Sequence, residues 1–258
     1  MSKEIKNEDK KALAVASNLD AWGGGQVVTA QDIIVPKILP LNYMSDKVKK
    51  KQGEYGEFRD TVNNMLFGNL ETPFEFVPFY MEKKWVEFDM VPQKSGAPKR
   101  EFKQIVSIQD NPTKPGYNDE LPLSEPKIER DRIMEFYVLM PGEVKNGLAL
   151  PYVVSFRRTS LKAGKKLAHQ MFVRNRVAKK VPAATAMVLS AASVQNDKGE
   201  YVVQDVNLSR AATAEEVIAA KYWYDQIGKG VLKVDEADLK EDANTSPRDI
   251  TPEAEMRF

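Results

Sequence analysis

Between Val27 and Val234 the apolar residues of this chain fall in short runs, rich in β-branched and aromatic side chains and divided by turn chemistry. Runs this short suit strands, because a globular helix needs about ten residues or more of sustained periodicity. The pattern predicts strands over Phe74–Tyr80, Lys84–Met90, Phe102–Ile108, Ile133–Met140, Tyr152–Arg158, Met187–Val194 and Tyr201–Leu208. Asn196-Asp197-Lys198-Gly199 separates the last two and predicts an antiparallel hairpin. Pro92–Arg100 and the longer Asn111–Arg132 are rich in proline, glycine and charge and read as loops.

Two segments carry a helical period instead. Ser160 is placed to cap a helix from Leu161 to about Val173, with Leu161, Gly164, Leu167, Ala168 and Met171 near one side and Lys162, Lys165, Lys166 and His169 on the other. Gly164 weakens that helix. Thr213-Ala-Glu-Glu216 has capping-box spacing and opens a second helix, which Gly228 and Gly230 end. The remaining ends lack period. Residues 1–26 read as a flexible arm closing on Gly23, Gly24 and Gly25, with Trp22 just before them, and 27–234 as the folded domain. Residues 235–258 carry eight acids against three bases and read as a disordered acidic tail ending on Phe258.

Charge is segregated along the chain. From Val144 to Asn196 there is no Asp or Glu, yet the segment holds Lys145, Arg157, Arg158, Lys162, Lys165, Lys166, Arg174, Arg176, Lys179 and Lys180. It is +10 in a chain of net charge +1. A site for a polyanion needs such clearance, since a nearby acid cancels the field and repels phosphate. The chain has no cysteine and one histidine, His169, which removes thiolate chemistry and leaves Ser-His-Asp and histidine-metal arrangements a single candidate residue. No apolar run spans a bilayer and the N-terminus has no signal-peptide core, so the expected compartment is the cytoplasm (the host's, for a phage-encoded chain). No cofactor or metal is implied.

Cations beside flat rings suit unpaired bases, because each base exposes a π-face when it has no duplex partner. Strand alternation puts Trp85 with Lys83 and Glu87, away from Val86 and Phe88, and puts Tyr152, Val154, Phe156 and Arg158 on one side of their strand. Trp85, Tyr152 and Phe156 are therefore the stacking candidates. Arg157, Arg158, Lys162, Lys165, Lys166, Arg174, Arg176, Lys179 and Lys180 are the phosphate candidates. Each ring can equally be packing beneath a loop. The fold expected is mainly β with peripheral helices, an OB-fold-like antiparallel barrel with a C-terminal helix.

The runs VPKILPLNYMS, GEFRD, PFEFVPFYMEKKWVEFD, LPYVVSFRRTSLKAGKKL and QNDKGEYVVQDV resemble tailed-phage single-stranded DNA-binding proteins of the T7 type. That resemblance spans roughly residues 30–210. It implies an OB fold, a non-enzymatic role coating single-stranded DNA in replication and recombination, and an acidic tail whose terminal aromatic, here Phe258, engages replication or recombination proteins. Arg257 interrupts the acidic end. No membrane partner is implied, and an oligomer is compatible with the pattern. Two other readings stay open. One is a phage virion or protein-interaction protein without a nucleic-acid role. The other is a Mg-dependent nuclease using Glu125 and Lys127 with Asp110 or Asp119, although Pro126 between them suits a loop better than a strand.

Overall fold

The computed structural model describes residues 34–43, 45–93, 96–107, 128–147, 149–196, 199–227 and 233–234. Eleven strands are formed over these residues: β1 (Ile34–Val35), β2 (Lys37–Pro40), β3 (Phe58–Asp60), β4 (Leu66–Gly68), β5 (Phe74–Gln93), β6 (Gly96–Ser107), β7 (Ile128–Leu139), β8 (Pro151–Arg157), β9 (Thr185–Asn196), β10 (Gly199–Ala211) and β11 (Lys233–Val234). The helices are α1 (Asp46–Lys49), α2 (Leu161–His169), α3 (Asn175–Val177) and α4 (Ala214–Ile227), with a π-helical turn, Gln170–Arg174, joining α2 to α3. The molecule is therefore mainly β with few helices.

Nine strands make one mixed sheet in the order β10-β9-β5-β7-β8-β2-β3-β4, with β6 added on β5; β1 and β11 form a separate parallel pair. The terminal strands of that order, β10 and β4, do not pair with each other. The sheet is open, and the closed barrel expected from the pattern is not formed among the described residues. The β2–β8 pairing is parallel, a connection no consecutive hairpin could make.

All seven expected strands are present, with three changes, one being that β7 begins at Ile128, inside the expected loop Asn111–Arg132. Phe74–Tyr80 and Lys84–Met90 are one continuous strand, β5. Its single register slip against β7 falls between Pro78 and Tyr80, where the proline has no N–H for the ladder. The expected loop Pro92–Arg100 is the turn end of the β5–β6 hairpin, with Gln93 opposite Gly96. Pro98 is tolerated because β6 is an edge strand that pairs with β5 alone, and Pro92 of β5 falls at the register shift between Val91 and Gln93, beyond the last residue paired with β7. The β9–β10 hairpin is as expected, with Asn196 opposite Gly199. Strands β1 to β4 were not foreseen; each has only two to four residues.

The sheet buries both faces. On one, Phe136, Val138, Tyr152, Val154 and Phe156 pack under Ala163 and Leu167 of α2 and Met171 of the π turn. On the other, Val77, Phe79, Tyr137 and Val153 pack under Ala219, Ala220, Trp223 and Ile227 of α4. A third, smaller cluster of Val86, Phe88 and Ile133 holds the β5–β6–β7 arm. The capping box of α4 is formed as expected: the Thr213 N–H donates to Glu216 at 2.7 Å and the Glu216 N–H donates to the Thr213 hydroxyl at 3.2 Å.

Candidate nucleic-acid interface

The cationic helix does not begin as expected. Ser160 makes no side-chain cap; its hydroxyl accepts the Gln204 N–H of β10 at 3.1 Å. Arg158, in the 3₁₀ turn before α2, has a left-handed backbone (φ 55°) and donates to Asp131 of β7 at 2.8 Å. Gly164 is not a weakness but a close approach: a Cβ there would lie 3.0 Å from the Phe156 Cβ and 3.3 Å from the Met134 sulfur. That approach lets α2 lie directly on the sheet.

Leu167, Met171 and Asn175 are buried at every fourth residue. In an α-helix, at about 3.6 residues per turn, such a row drifts round the axis by roughly 40° at each step, and the wider π turn offsets that drift. The helical unit consequently runs past the expected end at Val173 to Val177. Asn175 fixes its far end, donating to the Pro182 carbonyl at 3.1 Å and accepting from the Thr185 hydroxyl at 3.1 Å. The unit stops in a Schellman motif: Lys180 N–H to Asn175 O at 2.7 Å and Lys179 N–H to Arg176 O at 2.9 Å, with Lys179 at φ 55°.

With the inward row fixed, Lys162, Lys165, Lys166, Arg174, Arg176, Lys179 and Lys180 are all exposed along one helical unit. Lys166 lies 3.2 Å from Asp205 of β10. The other six make no ion pair among the described residues. Arg157 and Arg158 are half-buried, and Arg158 serves Asp131. The acid-free stretch therefore divides in space, because acids from distant strands reach two of its bases.

The three rings expected to stack are enclosed. Trp85 is 7% exposed, and the Arg132 guanidinium lies 5.3 Å from its ring centre. Phe156 is wholly buried edge-on against Phe136. Tyr152 is buried in the same layer; its hydroxyl donates to Glu143 at 3.2 Å, and burial followed by Glu143 pushes the phenol up to about 12. None of the three offers a free face to a base. Alternation gave the shared sides correctly, but the α2 layer encloses Tyr152 and Phe156, and Arg132 of β7 lies over Trp85. Tyr137, also on a polar-looking face, is buried as well.

The chain does present an aromatic surface elsewhere. Tyr43 and Tyr55 stack with ring centres 4.1 Å apart and planes 7° from parallel, and Tyr43 is 51% exposed. They flank the α1 loop, whose neck is closed by Leu41 N–H to Glu57 O and Gly56 N–H to Leu41 O, both 2.8 Å. Gly56 permits that neck through its φ of +83°. Tyr43 donates to Glu200 at 3.2 Å, and Tyr55 shares a hydrogen bond with Ser193 at 2.7 Å. Helix α1 ends as α3 does, with Gln52 N–H to Lys47 O at 2.8 Å, Lys51 N–H to Val48 O at 3.1 Å and Lys51 at φ 58°. The sequence signal for this region was two tyrosines bracketing the run Lys47-Val-Lys-Lys-Lys51.

The two cationic units are neighbours. The outward N–H groups of edge strand β10 are taken by Asn42, beside Tyr43, at Val202 (3.2 Å), and by Ser160, before α2, at Gln204 (3.1 Å). Two residues along a strand span roughly 7 Å.

Residues 6–233 match the family described as Pam3 phage gp34-like protein. The chain belongs to this phage family. The chain matches no curated protein and no solved structure. The gp34-like assignment supports the phage part of the resemblance noted above and carries no ligand with it. Among the described residues of this gp34-like chain there is no group of acids and histidine able to hold a metal ion, and no helix long and apolar enough to cross a membrane. The nuclease candidates Asp110, Asp119, Glu125 and Lys127 lie outside the described residues, as do the arm 1–26, Gly228, Gly230, the tail 235–258 and Phe258.

Proposed function

We propose that this gp34-like protein binds single-stranded DNA without sequence selectivity in phage replication or recombination, chiefly by neutralising phosphates along α2 and α3. The observation that carries the reading is the row Lys162, Lys165, Arg174, Arg176, Lys179 and Lys180, all exposed and without a carboxylate partner among the described residues. Water solvates these cations in the free protein, and their field, uncancelled by a paired acid, is what a polyanion would meet. Strands β7, β8 and β10 form the floor beneath it, and among the described residues no groove-reading helix pair is present to favour a duplex.

The test is anisotropy of a labelled oligothymidine and of a duplex of equal length, titrated at several salt concentrations. A labelled strand is used because two of the three tryptophans, Trp85 and Trp223, are buried. With five phosphates neutralised, log affinity falls against log salt with a slope of about −3.5. Equal affinity for strand and duplex removes the single-strand claim.

A second reading, a phage interaction or virion protein, is favoured by Phe172, Val173, Val177 and Val181, which are exposed among the same cations. Apolar side chains between charges suit a protein partner. Absence of binding to either DNA at low salt supports that reading.

A further inference from the structure

We propose that the outer face of Tyr43 is a stacking site for an unpaired nucleobase, on a strand whose phosphates continue along α2. This rests on the single-stranded reading and names the part of the surface that would distinguish bases from bare phosphate.

Four observations carry it. First, Tyr55 covers one face of Tyr43 in parallel, at 4.1 Å, while Tyr43 stays half exposed, so the opposite face is presented to solvent. The other described ring pairs are tilted or edge-on, the geometries of ordinary packing. Second, both rings are held before any ligand arrives. Tyr43 is bonded to Glu200, Tyr55 to Ser193, and Ser193 in turn to Glu200. A ring fixed in advance loses little freedom when a base stacks on it.

Third, the rings border a shallow cleft of about 630 Å³, lined also by Val48, Lys51, Gln52 and Arg59. That combination offers a flat apolar floor, a cation and an amide, the groups a base and its phosphate require. Lys51 stands there in a backbone conformation that favours glycine. Fourth, Asn42, next to Tyr43, and Ser160, at the start of α2, bind N–H groups two residues apart on β10, so the tyrosine loop and the cationic helix meet the same short stretch of that edge. Two nearby carboxylates are engaged: Glu57 holds Arg59 at 2.7 Å, and Glu200 receives Tyr43 and Ser193. Glu54 is exposed at the lip; its backbone N–H donates to the Glu57 carboxylate and its carbonyl accepts the Glu57 N–H, while its own carboxylate stands in solvent.

The experiment compares an oligothymidine with an abasic deoxyribose-phosphate strand of the same length, so charge is constant and only the bases differ. Wild type should bind the oligothymidine about tenfold more tightly than the abasic strand. Tyr43→Ala and Tyr43→Leu should erase that preference while leaving abasic affinity and the salt slope unchanged; Leu still covers Tyr55 and guards against a packing artefact. Tyr43→Phe, lacking only the Glu200 bond, should keep it. Equal wild-type affinity for both strands, or a preference that survives Tyr43→Leu, overturns the stacking site and leaves the phosphate reading intact. Binding of neither strand overturns both.

Discussion

Basic residues do opposite things on the two faces of this sheet. On the α4 side, Lys37 of β2 is fully buried and lies 2.8 Å from Glu135 of β7, itself 1% exposed; Lys84 of β5 approaches the other Glu135 oxygen at 2.8 Å and Glu82 at 3.1 Å. Burial alone would raise the Glu135 carboxyl, but the two ammoniums hold it below the usual carboxylate range. Burial alone would lower the Lys84 ammonium, and Glu135 and Glu82 raise it above its ordinary value. On the α2 side, six of seven exposed cations have no such partner among the described residues. The first group is matched because an unpaired charge inside costs several kcal/mol, roughly 3–5 when one partner is removed. The second is unmatched at little cost to folding, because water solvates it. Only the second is available to a ligand.

The largest expected effect breaks the matched side. Glu135→Gln leaves Lys37 and Lys84 without their anion and should lower unfolding stability by roughly 3–5 kcal/mol in a denaturant titration. The sign with pH follows from the depressed carboxyl. Its contribution is full at neutral pH and is lost as pH falls below the unfolded value of about 4.3 and through the lower folded one. The variant should show a flatter acid limb; an unchanged limb would mean that the trio does not couple folding to protons.

Next in size, changing Lys162, Lys165, Arg174 and Arg176 together to Ala should leave stability nearly unaltered while weakening oligothymidine binding by more than about tenfold. The salt slope should become shallower by about 3, from four contacts at about 0.7 each. Unaltered affinity would mean that the unmatched cations face no phosphate. Thr213→Ala removes half of the α4 capping box, beside the Arg210 bridge to Glu75 (2.8 Å) and Glu216 (2.7 Å), and should cost about 1 kcal/mol in thermal unfolding.

The smallest effect sharpens the contrast. Lys179→Gly relieves a left-handed lysine and should stabilise by roughly 0.5–1 kcal/mol. It should also weaken DNA binding slightly, with a salt slope shallower by about 0.7. A gain in stability without any loss of affinity would place Lys179 outside the interface.

Much of the local structure was legible because it depends on neighbours in the chain. The strand alternation, the Asn196–Gly199 hairpin and the Thr213–Glu216 box each need only a few consecutive residues to specify them. Short strands such as β3 were not, since three residues show too little period. The break expected between Tyr80 and Lys84 is not there; Glu82 lies on β5 opposite Glu135, bridged by Lys84 from the same strand. Of the candidate site, the cations were legible as an absence of acids along the sequence. Tyr43 was not, because nothing local says that Tyr55, twelve positions on, lies beneath it.

The sequence alone determined the periods, the caps and the supply of charge, all of which are properties of adjacent residues. Tertiary structure decided which surfaces those elements cover. Alternation says that Trp85 shares a side with Lys83, but only the packing of Arg132 over its ring decides that the side is closed. An acid-free run says that no carboxylate is near in sequence, but only strand order brings Asp131 to Arg158 and Asp205 to Lys166. Burial and electrostatics act through space, and the distances that govern them are created by the fold.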